Sequence, residues 1–157
     1  MSLRLVQFLA IILTALSLVP AGAHLFELPN KIGLGQEAYF TVQGIYRGWA
    51  LFGFALFGAL GANGVLAIML RHQRTPFRLA LGAFLLMAGT LAVFFTWTFP
   101  ANQATANWTE VPADWQELRF NWEYAHAANA GLTFLALCAV TLSCLLARDR
   151  AGTGARP

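Results

Sequence analysis

The chain of 157 residues is 58% hydrophobic and only 11% charged, with a formal net charge of +3. Soluble domains carry about 25% charged residues, so this composition excludes an ordinary globular enzyme. The ten Lys and Arg surround no nucleic-acid recognition motif, and nucleic acid is not an expected partner.

A bilayer hydrocarbon core of about 30 Å takes roughly 20 apolar residues of helix to cross, and four stretches reach that length. Leu5–Ala23 has no charged residue in 19, Gly48–Leu70 none in 23, and Leu79–Phe99 none in 21. Tyr124–Ala147 has only His126 in 24. Barrel strands are excluded, because nothing alternates with period two over the eight or so segments a barrel needs, roughly. The sequence therefore predicts an all-α integral membrane protein, an antiparallel four-helix bundle in one domain over residues 1–147. Its spans fall at about 5–23, 48–70, 79–99 and 120–147, with a tail at 148–157. No internal repeat is present.

Lys and Arg accumulate on the cytoplasmic side of short loops. Arg4, Arg71, Arg74, Arg78, Arg148, Arg150 and Arg156 fall on one side of the four spans, and only Lys31, Arg47 and Arg119 on the other. Both termini are thus expected in the cytoplasm of a multi-pass cell-membrane protein, with the second side periplasmic or extracellular. The lipid bilayer is the expected partner, and homo-oligomerisation is open.

Met1–Ala23 can also be read as a signal peptide with Ala21-Gly22-Ala23 as its cleavage site. His24 would then be an amino-terminal copper chelator. Gln7, Thr14 and Ser17 at near-helical spacing favour an uncleaved, internally packed span instead. Between spans one and two, Leu28-Pro29-Asn30 marks a helix break. Gln36–Tyr46 starts a helix running into span two, and Tyr39, Tyr46 and Trp49 suit an interfacial aromatic belt. Gly48, Gly53, Gly58, Gly61 and Gly64 in span two suit close helix packing, and Asn63 an interhelical hydrogen bond. His72 reads as a solvated loop residue. Residues 100–117 form a polar loop in which Asn107-Trp108-Thr109 fits a glycosylation sequon. Cys138 and Cys144, six apart, read as small buried hydrophobes with no disulfide between them.

Ionisable groups inside a span are costly and mark functional-site candidates. At the start of span four, Arg119, Glu123, His126, Ala130 and Thr133 recur at three- and four-residue steps and form one helix stripe, flanked by Trp122 and Asn129. At the end of span one, His24, Glu27 and Asn30 are again three apart. Both clusters enter at the same membrane face, so His24-x-x-Glu27 and Glu123-x-x-His126 are expected at similar depth.

Three chemistries fit these residues. His24, His126, Glu27 and Glu123 could ligate a single transition metal, since imidazole with carboxylate suits iron, copper or zinc. A full di-iron site lacks two glutamates, and a haem between His24 and His126 is a further alternative. Without a metal, His126 or His24 is a candidate general base, oriented by Glu123 or Glu27, with Arg119 or Arg47 stabilising an oxyanion. The pocket would include Asn30, Tyr46, Arg47, Trp122 and Asn129 and would take a small aromatic substrate. The third reading is a structural polar network in which Arg119 pairs with Glu123 one turn on and His126 bonds Asn129. Transport ranks behind these, for lack of an inverted repeat.

His24-Leu25-Phe26-Glu27-Leu28-Pro29-Asn30-Lys31, Ile45-Tyr46-Arg47-Gly48-Trp49 and Asn121-Trp122-Glu123-Tyr124-Ala125-His126-Ala127 resemble a family of small four-span bacterial membrane proteins of unknown function. That family is grouped with the anthrone oxygenase-like proteins. The resemblance implies that span one is retained. It also implies an oxidoreductase that oxidises an anthrone-type carbon acid to a quinone, as an alternative to a non-catalytic membrane binding or assembly protein.

Overall fold

The computed structural model describes residues 2–148; the tail, with Arg150 and Arg156, lies outside the described residues except for its first position. The described residues form six α-helices: α1 Leu3–Lys31, α2 Gln36–Gln43, α3 Gly53–Leu70, α4 Arg74–Val93, α5 Phe99–Ala104 and α6 Trp115–Leu146. Two short 3-10 turns, Gly44–Tyr46 and Trp49–Phe52, lead into α3, and a π-turn at Phe94–Thr98 joins α4 to α5. Four helical stretches are long and apolar enough to cross a membrane: Leu3–Lys31, Trp49–Leu70, Arg74–Ala104 and Trp115–Leu146. This suits a multi-pass membrane protein.

The four long helices form a ring in which α1 and α4 each pack against both α3 and α6. Neighbours are antiparallel. The Ser143 hydroxyl near the end of α6 donates to the Pro76 carbonyl at the start of α4, at 2.7 Å. Val6, Ala10, Leu66, Leu70, Ala80, Ala83 and Val140 belong to the apolar core. Within it Asn63 donates to the Thr14 hydroxyl on α1 at 3.0 Å and to the Ala59 carbonyl at 2.8 Å, so the span-two amide is an interhelical tie. A Cβ at Gly58 would stand 3.2 Å from Leu13, and one at Gly64 3.3 Å from Phe84. Close packing therefore explains these two glycines, whereas Gly48, Gly53 and Gly61 face open space.

Several boundaries differ from the sequence expectation. Helix α1 runs through Pro29 to Lys31 instead of breaking there. Its 29 residues, at about 1.5 Å each, give about 44 Å, so the helix overruns a 30 Å hydrocarbon core, roughly. Proline there forgoes the bond to the Leu25 carbonyl, yet the helix continues past it, with the Ile32 amide closing on the Leu28 carbonyl at 3.0 Å.

The helix starting at Gln36 does not run into span two. It stops at Gln43, and after a 3-10 turn the chain redirects at Gly48, whose φ of +89° suits glycine because it has no Cβ. Span three continues past Phe99 to Ala104. The wider turn, with the Phe99 amide reaching back to Phe94, makes room for the Pro100 ring, which would crowd a regular helix.

The loop at 100–117 is partly helical and then turns through Ala106, Asn107 and Trp108, all at positive φ. Left-handed backbone costs non-glycine residues energy, and here it places the Trp108 ring, 6% exposed, in the aromatic cluster. Asn107 and His72 are exposed. Cys138 and Cys144 are both free, but Cys138 is exposed on the outside of α6, so it is not the buried hydrophobe expected.

Candidate functional site

The arginine-rich end of the bundle carries Arg4, Arg71, Arg74, Arg78 and Arg148; the opposite end is aromatic. There α1 presents a buried stripe at seven-residue steps, Ser17, His24 and Lys31, and α6 presents Trp122 and Glu123. The two stripes meet. The His24 and His126 rings stack with centroids 4.1 Å apart and planes at 30°. His24 also lies 4.4 Å from Tyr46, 5.4 Å from Trp49 and 4.9 Å from Trp122, centroid to centroid. Trp122 closes on His126 at 4.2 Å.

One layer beyond, a buried ion pair ties α1 to α6. The Lys31 ammonium lies 3.0 Å from Glu123 Oε1 and 3.8 Å from Glu27 Oε2. Lys31 is 3% exposed and Glu123 0%, so neither charge is solvated and each depends on the other. The Tyr39 hydroxyl of α2 donates to Glu123 at 2.9 Å and accepts from Gln43 Nε2 at 2.6 Å. Lys31 donates to the Tyr46 hydroxyl at 2.6 Å, and that hydroxyl donates to Glu27.

Burial, and then the Glu123 carboxylate beside it, holds the Tyr39 phenol protonated well above its usual range. Burial and then the hydrogen bond to Glu27 do the same at Tyr46. Both phenols therefore act as donors to carboxylates across the ordinary pH range.

An aromatic lid covers this network. Tyr39 is fully buried against Trp108 at 5.2 Å and Trp115 at 6.2 Å, so it is a core residue and not part of an interfacial belt. Asn102 Oδ1 accepts both indole N–H groups, from Trp122 at 2.9 Å and from Trp108 at 3.1 Å.

The structure brings His24, Glu27, Tyr46, Trp122, Glu123 and His126 together. It does not bring in Asn30 and Arg47, which are exposed. Arg119 does not pair with Glu123; its Nη1 donates to the Leu34 carbonyl at 2.7 Å while its guanidinium lies over Trp115 at 4.8 Å. The reason is competition. Lys31 reaches Glu123 from the facing helix and takes the place that Arg119 was expected to fill. Nor does His126 bond Asn129: His126 Nε2 and Asn129 Oδ1 are both buried without a partner.

Sequence reasoning missed Lys31, Gln43 and Asn102 as members of the site. For Lys31 the signal existed, since it continues the Ser17–His24 stripe by two more helical turns. Gln43 and Asn102 carried no such signal.

A metal fits poorly. Among the described residues no group of three or more His, Cys, Asp and Glu is placed to hold one. The Lys31 ammonium stands where a cation bridging Glu27 and Glu123 would go. A haem is excluded between the imidazoles as they stand. Two iron–nitrogen bonds of about 2 Å each, plus the rings, need more than the 4.1 Å between the centroids. Among the buried atoms without a hydrogen-bond partner at this end are His24 Nδ1, His126 Nε2 and Glu123 Oε2, with Gln43 Oε1, Arg119 Nε and Asn129 Oδ1. Buried polar atoms are nearly always satisfied in a working state, by protein, water or ligand. No protein-family model, curated protein or solved structure matches the chain.

Proposed function

We propose that the aromatic end of the bundle is a metal-free site that binds a small, planar, weakly acidic aromatic molecule and accepts a proton from it. The observation that carries this reading is the stacked His24–His126 pair, whose unpartnered buried ring nitrogens sit against Trp49, Tyr46 and Trp122. An imidazole nitrogen in such a setting can take a hydroxyl or a carbon-bound acidic hydrogen, and the flanking rings suit an aromatic guest. Lys31, whose ammonium lies 4.3 Å over Tyr46 and 4.8 Å over Trp122, is the cation at the site in place of Arg119 and Arg47, and its charge is balanced by Glu123 and Glu27. The protein is inserted in the cell membrane with its arginine-rich end in the cytoplasm and this site toward the periplasm or exterior.

The resemblance to anthrone oxygenase-like proteins names a reaction the site would suit. An imidazole removes a proton from the ring CH2 of an anthrone, and dioxygen oxidises the resulting carbanion. One oxygen atom becomes the new ring carbonyl, and the other leaves as water with the two hydrogens of the CH2.

The test is oxygen uptake with anthrone, alongside quenching of tryptophan fluorescence by hydroxyanthraquinone, on the purified full chain. Both signals should be present in wild type and fall at least tenfold in His126→Ala and His24→Ala with helix content unchanged. A wild type that binds hydroxyanthraquinone without consuming oxygen leaves a binding protein and removes the enzyme. No binding at all removes both.

A second reading is favoured by the buried Lys31–Glu123 pair and its Tyr39 and Gln43 partners. On it this end is a structural polar network that fastens α2 onto α1 and α6. It predicts that the histidine variants lower folded yield and nothing else.

A further inference from the structure

Beside the histidine pair lies an open apolar groove of about 510 Å³ between α1 and the beginning of α3, with Leu13, Leu16, Gly48, Leu51, Phe52 and Ala55 in its walls. It lies where the chain enters α3 through a left-handed glycine and a 3-10 turn. Below, α3 closes onto α1 where Gly58 meets Leu13. The groove therefore has a floor and opens sideways, toward the acyl chains of a surrounding bilayer.

Its upper wall reaches the site through a single ring, Trp49, which stands between the groove and His24. Phe52, in the groove, packs on Trp49 at 5.7 Å; Trp49 lies 5.4 Å from His24; His24 stacks on His126. From the aqueous end the same histidines are covered by Trp122 and by the lid around Tyr39 and Trp108. A guest entering from the groove side meets the Trp49 ring and leaves that lid intact.

We infer that the molecule taken at the histidine pair is an amphiphile, a planar aromatic head bearing a hydrocarbon tail, and that the tail lies in the groove along α1 and α3. This rests on the binding reading above and adds the substrate class. The groove is open along its side, so it cradles a tail without enclosing it. The occupant is argued from continuity: apolar wall for a tail and orphaned polar nitrogens for a head, joined by stacked rings. Inside a bilayer a tail has no hydrophobic gain on leaving lipid for protein, so its preference for the groove rests on close packing there.

The experiment uses the full chain in lipid nanodiscs and two probes, hydroxyanthraquinone and the same head carrying a decyl chain. Tryptophan quenching is read against the concentration of probe in the lipid, so that partitioning is removed. Wild type should prefer the decyl probe about tenfold. Ala55→Phe, which fills the groove, should abolish that preference while leaving the tail-less probe within twofold. His126→Ala should weaken both probes together.

If the tail-less probe binds through His126 but the decyl chain adds nothing, or Ala55→Phe changes nothing, the tail site is overturned and the binding reading stands. If Ala55→Phe alters only the co-purified phospholipid, the groove is an ordinary lipid contact and the inference fails. If wild type binds neither probe, the binding reading falls and takes this one with it.

Discussion

At the arginine-rich end the four helices meet through alanine, leucine and valine side chains, with one serine tying α6 to α4. At the aromatic end they meet through two histidines, a buried ion pair and a cluster of tyrosines and tryptophans. Near mid-bundle, among the described residues, the side-chain hydrogen bond between helices is that of one amide to a hydroxyl. The difference separates two jobs. Small apolar side chains let backbones approach and gain dispersion contacts, which holds the bundle together without specifying any chemistry. The aromatic end spends helix length beyond the hydrocarbon core on groups that must satisfy one another, and there a few nitrogens are left over.

That contrast can be broken most sharply at the ion pair. Lys31→Met leaves Glu123 buried and uncompensated and should cost about 3–5 kcal/mol, read by unfolding in mixed micelles, whereas Glu123→Gln leaves Lys31 with Glu27 at 3.8 Å and should cost less. The double variant should recover most of the loss. Equal losses in single and double variants would mean that the pair is not coupled as described. In the apolar half, Leu66→Ala, at a fully buried position, should cost about 2 kcal/mol, the low end for a core truncation, without affecting any probe binding at the other end.

Gly48→Ala should cost about 1–2 kcal/mol through its left-handed backbone alone, since a Cβ there meets nothing within 4 Å. The loss should appear with the decyl probe too, because Gly48 shapes the groove mouth. Asn63→Leu, which removes the single mid-bundle amide, should be the mildest, about 0.6 kcal/mol.

Alkaline titration sharpens the comparison from the other side. Tyr39 and Tyr46 have folded pKa values raised above the unfolded tyrosine value of about 10. The stabilisation they contribute is therefore full below that pH and is lost as pH rises through their folded values. Absorbance of phenolate should lag in the folded protein, and Tyr39→Phe with Tyr46→Phe should remove the lagging fraction. Ionisation of both near pH 10 in folded protein would contradict their burial.

Much of this was legible in the residues alone. Charge-free runs of the right length named four helices, because a bilayer-scale helix demands an apolar run and little else. The three- and four-residue recurrence of Glu123, His126, Ala130 and Thr133 named the inward stripe of α6, because helical periodicity is a local property. Charge asymmetry separated the two ends for the same reason.

What only the tertiary structure decided lies wherever two helices compete for one partner or a neighbour rescues a local rule. Pro29 reads as a break from sequence, yet α1 carries through it, and that one extra turn brings Lys31 to Glu123 in place of Arg119. Tyr39 reads as a belt residue, and the left-handed turn at Trp108 instead folds a lid over it. The apparent metal ligands come together as the spacing suggested, but with an ammonium between the carboxylates and the imidazoles face to face. Spacing along one helix fixes which side chains share a face. Which of them meet is set by the register and rotation of helices against each other, and no local pattern encodes those.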